Sequence, residues 1–403
     1  RSCGGANLRP FLDLGVTPLA DALVTGEHLD AVEDRYPLEV AFCPDCALVQ
    51  ILEEVPADKL FVENYLYFSA YSDVLVEHGR RHAEGLIESR GLGPESLVVE
   101  IGSNDGTLLK HFAAAGIPVL GIDPAPDQAA AANAAGVPTI DTFFGSELAG
   151  RLRREGRAAD VIIANNVLAH VPGLNDVIAG MATLLAEDGL ITQENPWVKP
   201  LVDDCEFDTI YHEHFCYYSC TSVDRLMRRH GLYLNHVEHF PKLHGGTLRW
   251  RMNRYEEPSP TVLGYLADEQ AAGLDRFDYY ARFAERVEGV AGALRALVSE
   301  LVAGGATVAG YGAAAKGATM LNYVGLGTDL VSFVVDRNPY KQGRHMPGTH
   351  QPILDPAALG ERRPDYLLLL AWNFAEEIIE QQAGYLAAGG KVILPVPEPR
   401  IVS

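Results

Sequence analysis

Residues 211–219 read Tyr-His-Glu-His-Phe-Cys-Tyr-Tyr-Ser, an unusual density of titratable and hydrogen-bonding side chains. A histidine whose pKa lies near neutrality can remove a proton from a carbon next to a carbonyl. Nearby tyrosine hydroxyls can stabilise the enolate oxygen that forms. Both His212 and His214 suit the role of base, and on a strand they would share one face, with Glu213 on the other. The alternative is an aromatic packing segment with surface histidines.

A glycine-rich loop at residues 100–106, Glu-Ile-Gly-Ser-Asn-Asp-Gly, closes a predicted strand and opens a predicted helix. Gly102 permits a sharp turn, and Gly106 lets the backbone approach a ligand at a helix start that attracts anions. The spacing differs from the G-x-G-x-x-G of nicotinamide sites. The predicted cofactor residues are Glu100, Gly102, Asn104, Asp105 and Gly106 in the loop, Asp123 where an acid binds ribose hydroxyls, and Asn165 and Asn166 after a later strand. The alternative is a structural turn with a solvated Asp.

Three cysteines near the start of the chain have the spacing of a metal site. Cys43 and Cys46 form a C-x-x-C pair, and Cys3 is followed by two glycines. Thiolates two residues apart can share one tetrahedral zinc ion. We expect a structural zinc whose fourth ligand lies just before Arg1; the alternative is a free, reduced C-x-x-C. The remaining cysteines, at 205, 216 and 220, are predicted core thiols.

A second glycine turn at residues 310–317 carries a lysine at a helix start, a combination that suits phosphate. Asp336 ends the following predicted strand, and polar residues follow the strand ends of this region. A nucleotide diphosphate fits such a crevice; the alternative is a purely structural Rossmann-like domain. The predicted substrate-binding residues here are Tyr311, Lys316, Asn338, Trp372 and Asn373.

Two other segments can contact a ligand. The aromatic run at residues 65–72, which includes Tyr67, can cover the cofactor or contact the acceptor, or it can be a hydrophobic hinge. His244 opens a turn that runs into an alternating strand ending near Arg249, and both side chains can contact substrate. A plain hairpin explains the second segment nearly as well.

The elements that position these residues alternate between strand and helix. Apolar strands are predicted at residues 97–101, 119–123, 160–165 and 189–194, with helices between them. This alternation predicts a parallel sheet with helices on both faces. Long helices at residues 257–304 then lead to a second α/β unit, with strands at 307–312, 331–336, 365–370 and 391–394.

Composition and charge limit the classes of partner that this chain is expected to bind. The chain of 403 residues is 48% hydrophobic and 21% charged, with a net charge of −22. Such acidity argues against nucleic acid and against anionic membrane surfaces, and favours a small molecule or another protein as partner. No apolar run approaches the roughly 20 residues that span a bilayer. Six cysteines in this length suggest no disulfide framework, so we expect a reducing cytoplasm.

Taken together, these motifs resemble the three-domain sugar C-methyltransferases of deoxysugar and antibiotic pathways. The resemblance covers nearly the whole chain, and the Glu-His-Phe step at residues 213–215 is its most specific element. It implies an α/β fold with a small zinc-binding domain (1–62), a class I S-adenosylmethionine-binding catalytic domain (63–256), and a helical connector with a Rossmann-like nucleotide-sugar domain (257–403). A monomer is expected.

The resemblance also implies roles for single residues. His214 would take the C3 proton of a nucleotide-linked (thymidine diphosphate) 4-keto-6-deoxy sugar, and the enolate carbon would attack the methyl group in line. Glu213 would position the sugar, with Tyr211 and Tyr67 near its ketone. His212 departs from the family pattern and is a second candidate base. Two other functions stay open: methyl transfer to a non-sugar acceptor, and a nucleotide-sugar oxidoreductase or binding protein.

Overall fold

The structure is a computed structural model that describes residues 1–61, 68–71, 73–243 and 245–402. In this part of the chain three larger sheets follow one another, and a short two-stranded ribbon joins the first region to the last. Among the described helices, none combines the length and the apolar composition that a bilayer crossing requires.

The N-terminal region is a small antiparallel sheet. Its own elements are β1 (Arg9–Pro18), β2 (Val24–Thr25), β3 (Arg35–Phe42), β4 (Val49–Ile51) and helix α1 (Ala57–Phe61). The sheet order is β1-β3-β4, and a fourth strand comes from Cys216–Tyr217. Phe42, fully buried, stacks on Tyr280 with ring centroids 4.9 Å apart. Because so short a segment buries little apolar surface by itself, the N-terminal region shares its hydrophobic core with later parts of the chain.

The strands of the central region are β5 (Val98–Ile101), β6 (Val119–Asp123), β7 (Thr139–Asp141), β8 (Ala159–Asn165), β9 (Leu185–Pro196), β10 (Cys216–Tyr217, which joins the N-terminal sheet), β11 (Tyr233–Phe240) and β12 (Thr247–Asn253). The central sheet has the order β11-β12-β9-β8-β5-β6-β7. The strands β5 to β9 run parallel, and β12 is antiparallel to both β9 and β11. The helices are α2 (Asp73–Arg90), α3 (Leu109–Ala114), α4 (Pro126–Ala134), α5 (Ser146–Arg154), α6 (Leu174–Leu184), α7 (Val198–Asp203) and α8 (Cys220–Arg228).

Two long helices, α9 (Pro260–Ala272) and α10 (Phe283–Ala303), connect the central sheet to the last one. The side chain of Ser259 caps α9 by accepting from the Val262 amide, and α9 ends at Gly273, whose φ is +88°. A side-chain acceptor at the start and a left-handed glycine at the end are the usual boundaries of a helix.

The C-terminal region contains β13 (Val308–Tyr311), α11 (Ala315–Val324), β14 (Val334–Val335), β15 (Arg344–His345), β16 (Ile353–Leu354), α12 (Ala358–Arg362), β17 (Tyr366–Leu369), α13 (Ala375–Gln381), α14 (Ala383–Ala387), β18 (Lys391–Leu394) and β19 (Arg400–Val402). Its sheet has the order β16-β14-β13-β17-β18-β19, and all of these strands are parallel except β19. Strand β15 pairs with β2, so the N-terminal and C-terminal regions are joined by backbone hydrogen bonding.

Candidate active site

The loop at residues 102–106 follows β5 and has three left-handed residues: Gly102 (φ +65°), Asn104 (φ +50°) and Gly106 (φ +74°). A Cβ on Gly102 would lie 2.6 Å from Cγ2 of Val167, and one on Gly106 would lie 3.0 Å from Cβ of Val137. Both glycines are therefore required by backbone conformation and by close packing. The sequence prediction had assigned Gly106 to the approach of a ligand, and the structure adds this packing reason.

Asp123, at the end of β6, holds the loop in place. Its Oδ2 accepts from the Asn104 amide at 2.7 Å and its Oδ1 accepts from the Ala125 amide at 2.9 Å. Glu100 is buried at the end of β5, and its Oε2 has no hydrogen-bond partner among the described residues. Burial raises the pKa of Glu100 well above its ordinary value, and the nearby charges of Asp123 and Asp105 add to this. An unpartnered buried oxygen beside a glycine turn fits a ligand that carries hydroxyl or amine groups.

Asn165 and Asn166 end the neighbouring strand β8. The buried Oδ1 of Asn165 has no partner in the described part of the chain. Asn166 is left-handed, with φ +55°, and its amide donates to the carbonyl of Glu194 at 2.7 Å. Since the next residue, Val167, packs on Gly102, the strand ends that sequence analysis grouped do meet at one edge of the sheet. This edge therefore brings together the loop at residues 102–106, Asp123 and the two asparagines that the sequence predicts to bind a cofactor.

A short segment crosses from this loop to the C-terminal region. The amide of Ser69 donates to Oδ1 of Asn104 at 2.9 Å, and the amide of Ala70 donates to Oδ2 of Asp105 at 3.1 Å. The ring of Phe68 stacks on Tyr340, with centroids 5.6 Å apart. Tyr67, the predicted acceptor contact, lies outside the described residues.

Residues 211–215 form a turn before β10, so the two histidines do not share a strand face. His212 is 1% exposed and its Nε2 donates to the carbonyl of Pro37 at 3.1 Å. Burial lowers the pKa of His212, although its hydrogen bonds to backbone carbonyls oppose the shift. His212 therefore anchors the turn on the N-terminal sheet.

His214 points the other way and has two polar contacts that define its tautomer. Its Nδ1 lies 3.0 Å from the carbonyl oxygen of Thr209, which can only accept, so Nδ1 carries the proton. Its Nε2 lies 2.8 Å from the Tyr211 hydroxyl, and the two rings lie 4.0 Å apart at 31°. In the neutral form of the ring, Nε2 is the acceptor and the tyrosine hydroxyl donates to it.

His170, which sequence analysis missed, lies beside this ring with centroids 4.8 Å apart. Its Nδ1 donates to the carbonyl of Glu213 at 2.7 Å. Burial lowers the pKa of His170 to about 4, although that hydrogen bond opposes the shift. The ring is therefore neutral at physiological pH. Its place five residues beyond Asn165, after a parallel strand, is the signal that could have found it.

Glu213 is buried, and its Oε1 accepts from the backbone amide of Asp21 at 3.2 Å. Its Oε2 has no partner among the described residues. Burial, and secondarily the charge of Asp21, raise the pKa of Glu213 to about 8. Asp21 belongs to the N-terminal region, and sequence analysis did not consider it.

Arg249 lies in a buried ion-pair network. It reaches Oε1 of Glu194 at 2.5 Å and Oε2 of Glu238 at 3.0 Å, and Glu194 also contacts Nε2 of His78 at 2.9 Å. Burial opposes ionisation of Glu194, but the His78 and Arg249 contacts outweigh it and hold the pKa at about 2. We therefore assign Arg249 a structural role in place of the predicted contact with substrate. His244, its predicted companion, lies outside the described residues.

In the C-terminal region, Lys316 faces carboxyl groups of the central region. Its Nζ lies 4.5 Å from the centroid of the Trp372 ring, and the indole Nε1 donates to Oδ2 of Asp208 at 2.7 Å. Burial lowers the pKa of Lys316, whereas Asp208 and Glu206 act to raise it. Burial raises the pKa of Asp208 to about 6 and that of Glu206 to about 8. The charge of Lys316 is thus partly compensated by carboxyl groups of the protein itself. The prediction that Lys316 binds phosphate did not include these carboxyl groups.

The carboxyl ends of β13, β14 and β17 lie side by side at one edge of the C-terminal sheet. Gly312 has φ +95°, and a Cβ there would lie 2.6 Å from Cβ of Ala371. Asp336 accepts from the Ala313 and Asn338 amides, and Lys341 donates to the Ala313 carbonyl at 2.7 Å. Two other predicted contacts are at this edge: Tyr311, buried at the end of β13, and Asn373, whose Oδ1 is buried without a partner in the described chain.

The three N-terminal cysteines come together. Their sulfur atoms all lie within 4.8 Å of one another, and Sγ of Cys3 is 3.5 Å from Sγ of Cys43. Ala47 has φ +58° and donates to the carbonyl of Cys43, which folds the C-x-x-C pair into a tight turn around Cys46. Three converging thiols are a donor set that fits a structural zinc ion. The cysteines at 205, 216 and 220 are buried elsewhere, as expected of core thiols.

Comparison with known proteins follows the same division. Residues 1–61 match the domain family described as "Putative zinc binding domain", residues 76–237 match "Methyltransferase domain", and residues 242–397 match "C-methyltransferase C-terminal domain". The sheet order, with one antiparallel strand inserted beside a parallel set, and the glycine loop agree with these matches. Together they define a class I S-adenosylmethionine-dependent methyltransferase with a zinc-binding N-terminal domain.

NovU of Streptomyces niveus, a C-methyltransferase, is 38% identical over 406 residues, which cover all of this chain and 96% of NovU. The chain therefore belongs to the C-methyltransferase family that contains NovU. Two solved structures are similar at lower levels. Magnesium protoporphyrin IX methyltransferase from Synechocystis PCC 6803, with bound S-adenosylmethionine, is 15% identical, covers 49% of this chain and 89% of its own, and gives a TM-score of 0.34. A methyltransferase from Archaeoglobus fulgidus is also 15% identical, covers 40% and 72%, and gives 0.34.

Proposed function

We propose that this C-methyltransferase acts on C3 of a nucleotide-linked 4-keto-6-deoxy sugar, with His214 as the base. The observation that carries the proposal is the tautomer of His214. Its Nδ1 holds the proton and donates to the Thr209 carbonyl, so the lone pair is on Nε2, which points away from that carbonyl. Formation of a carbon nucleophile next to a ketone requires a base that removes the C–H proton, whereas methyl transfer to an oxygen acceptor depends less on such a base. The proposal assigns no catalytic role to His212, because its ring is 1% exposed and its Nε2 donates to the Pro37 carbonyl.

The reaction would begin with transfer of the C3 proton to Nε2 of His214. The electrons of that C–H bond would form the enolate, whose oxygen takes up the negative charge. The Tyr211 hydroxyl, which donates to Nε2 in the resting site, would turn its proton toward that oxygen. When bound, S-adenosylmethionine would supply an electrophilic methyl group: the new bond to C3 would form as the methyl–sulfur bond breaks, the C4 ketone would re-form, and neutral S-adenosylhomocysteine would be the leaving group. The imidazolium would then return its proton to solvent.

The nucleotide would occupy the crevice around Gly312, Asn338 and Asn373. Helix α11 docks on the 3-10 helix Phe207–Thr209 that carries the carbonyl partner of His214, and Thr319 donates to the Ile210 carbonyl at 3.2 Å. This contact supports a single cleft in which sugar and cofactor meet. The same proposal assigns residues 1–62, 63–256 and 257–403 to three domains of a monomer.

The test uses thymidine diphosphate 4-keto-6-deoxy sugars and non-sugar ketones with methyl-labelled S-adenosylmethionine. We expect label at C3 of a sugar alone. In heavy water with S-adenosylhomocysteine, the wild-type protein should exchange the C3 proton. His214→Asn should lose turnover and exchange by roughly 10²–10⁴-fold while binding S-adenosylhomocysteine normally. His212→Asn is the matched control and should keep both.

Label on a non-sugar acceptor alone would replace the sugar proposal with the second candidate. Exchange that survives in His214→Asn would show that another group is the base.

A further inference from the structure

A small cavity lies beside His214, between the end of β9 and strand β10. Its volume is about 20 Å³, and Asn195, His214 and Tyr217 are among the residues that line it. A cavity of roughly 10–15 Å³ is enough for one water molecule, whereas pockets for small-molecule ligands measure about 300–1,000 Å³. The volume therefore fits a single water and excludes a sugar or a nucleotide.

Asn195 supplies two hydrogen-bonding atoms to this cavity. The residue is 1% exposed, and neither Oδ1 nor Nδ2 has a partner among the described residues. Because side chains alternate along a strand and Glu194 contacts His78 of α2, Asn195 faces the opposite side of the sheet. On that side the chain after β9 runs next to β10, where the Val198 amide donates to the Tyr218 carbonyl at 2.9 Å. The amide of Asn195 is therefore aimed at the cavity.

Tyr217 supplies the third polar atom. It is 6% exposed, and its hydroxyl has no hydrogen-bond partner in the described chain. Burial raises the pKa of Tyr217 well above its ordinary value, and the amide of Tyr211 only partly opposes this, so the hydroxyl keeps its proton and can donate it. The Tyr217 ring meets the His214 ring edge-on, with centroids 6.2 Å apart at 78°. A group that holds the tyrosine hydroxyl therefore also fixes one side of the proposed base.

One water molecule satisfies all three atoms. Buried polar atoms that bond to nothing destabilise a folded protein, so three of them around one cavity indicate a bound polar molecule. A primary amide can hold a water through its carbonyl oxygen and one N–H, and the water then keeps a second lone pair for the tyrosine O–H. Three hydrogen bonds are the usual number for a buried water.

We propose that Asn195 and Tyr217 bind one structural water in this cavity, and that this water bridge makes Asn195 a positioning residue for His214. The water site does not depend on the proposed function, whereas its effect on methyl transfer rests on His214 being the base. The bridge joins the end of β9 to the ring that packs on His214, so the central sheet helps to set the direction of Nε2.

The first test needs no acceptor. A high-resolution crystal structure of the wild-type protein should show one ordered water within hydrogen-bond distance of the Asn195 amide and the Tyr217 hydroxyl. Asn195→Leu, which has a similar volume and no polar side-chain atom, should lack it. Replacing an unbonded amide by leucine should raise the urea midpoint of unfolding, whereas replacing a water-bonded amide should lower it, and we expect the lower midpoint.

A dry cavity in the wild-type protein, a direct hydrogen bond between Asn195 and Tyr217, or a higher midpoint in Asn195→Leu would overturn the water site. Should Asn195→Leu fail to fold, Tyr217→Phe removes a single oxygen atom and serves as the second variant. It too should lose the ordered water.

The second test is kinetic. Asn195→Leu and Tyr217→Phe should each lower kcat by about tenfold and leave KM within about twofold, because the base is misdirected while binding is kept. Since both lose the same water, the double variant should be no slower than the slower single variant, whereas independent packing defects would multiply. Gln193→Leu, which removes another fully buried amide two residues earlier and outside the cavity lining, is the matched control and should keep both kcat and the water.

Multiplied losses in the double variant, or a wild-type kcat in both single variants, would overturn the positioning role of Asn195. Proton exchange that survives in His214→Asn while the ordered water is present would instead count against the proposed base alone.

Discussion

Tyr211 and His214 are joined twice, by rings whose centroids lie 4.0 Å apart with a tilt of 31° and by a hydrogen bond of 2.8 Å between the hydroxyl and Nε2. The turn that creates this contact is closed by the His214 amide, which donates to the Tyr211 carbonyl at 2.9 Å. One short turn therefore fixes both the proposed base and the group that protects its lone pair before substrate binds.

Replacing Tyr211 by phenylalanine should lower kcat by roughly 10–10³-fold, because the enolate oxygen loses a donor while the ring remains. The dissociation constant for S-adenosylhomocysteine should not change. Steady-state kinetics and calorimetry check both. Tyr255→Phe, which removes an exposed hydroxyl, is the control. Turnover in Tyr211→Phe within twofold of the wild-type value would remove the tyrosine from the mechanism.

Phe68 links the glycine loop at residues 102–106 to the C-terminal region, because the amides of its neighbours Ser69 and Ala70 donate to that loop while its ring stacks on Tyr340. We expect thymidine diphosphate to tighten S-adenosylhomocysteine binding by about fivefold or more in the wild-type protein. Phe68→Ala and Tyr340→Ala should each reduce this tightening factor toward one. The double variant should reduce it no further than either single variant. Calorimetric titration with and without the nucleotide measures it. Equal coupling in all variants would show that the stack carries none of it.

Glu206 should make stability depend on pH. Burial raises its pKa to about 8, above the ordinary value, so the folded protein binds more protons than the unfolded chain between about pH 4.5 and 8. Stability should therefore fall as the pH rises through that window. Glu206→Gln should flatten the fall, each pH unit of pKa displacement corresponding to about 1.4 kcal/mol. Urea unfolding from pH 5 to 8 tests this. A slope unchanged by Glu206→Gln would be evidence against a buried carboxyl at this place.

Removing zinc should loosen the N-terminal region. Cys43→Ser should lower the zinc content measured by mass spectrometry and lower the thermal midpoint, because metal binding and folding are coupled. Cys220→Ser, at a buried thiol outside the cluster, should keep the zinc. Full zinc occupancy in Cys43→Ser would contradict the assignment of this ligand.

The local sequence pattern predicted the bounds of the strands well where both faces of a strand are buried. The strands at 119–123 and 391–394 have the predicted bounds, since Pro118 and Pro124 flank the first and Gly390 and Pro395 flank the second. The strand predicted at 331–336 is only Val334–Val335, because its partners β13 and β16 pair with just those two residues.

The site was predictable only in part. The residues of the glycine loop and of the motif around His214 carry local signals. Asp21 reaches Glu213 across 192 residues of sequence, and His212 reaches Pro37 across 175. Such contacts depend on how separate sheets pack, and neither periodicity nor turn chemistry encodes them.

The pairing of β10 with β4 has a consequence for synthesis on the ribosome. The N-terminal sheet is translated first, yet its last strand, Cys216–Tyr217, emerges only after most of the central sheet. Because domains tend to fold in the order in which they leave the ribosome, the β4 edge is open to wrong pairing during that interval. An early zinc ion at the cysteine cluster would hold the loop beside β4 and protect the nascent chain until Cys216–Tyr217 is synthesised and closes the sheet.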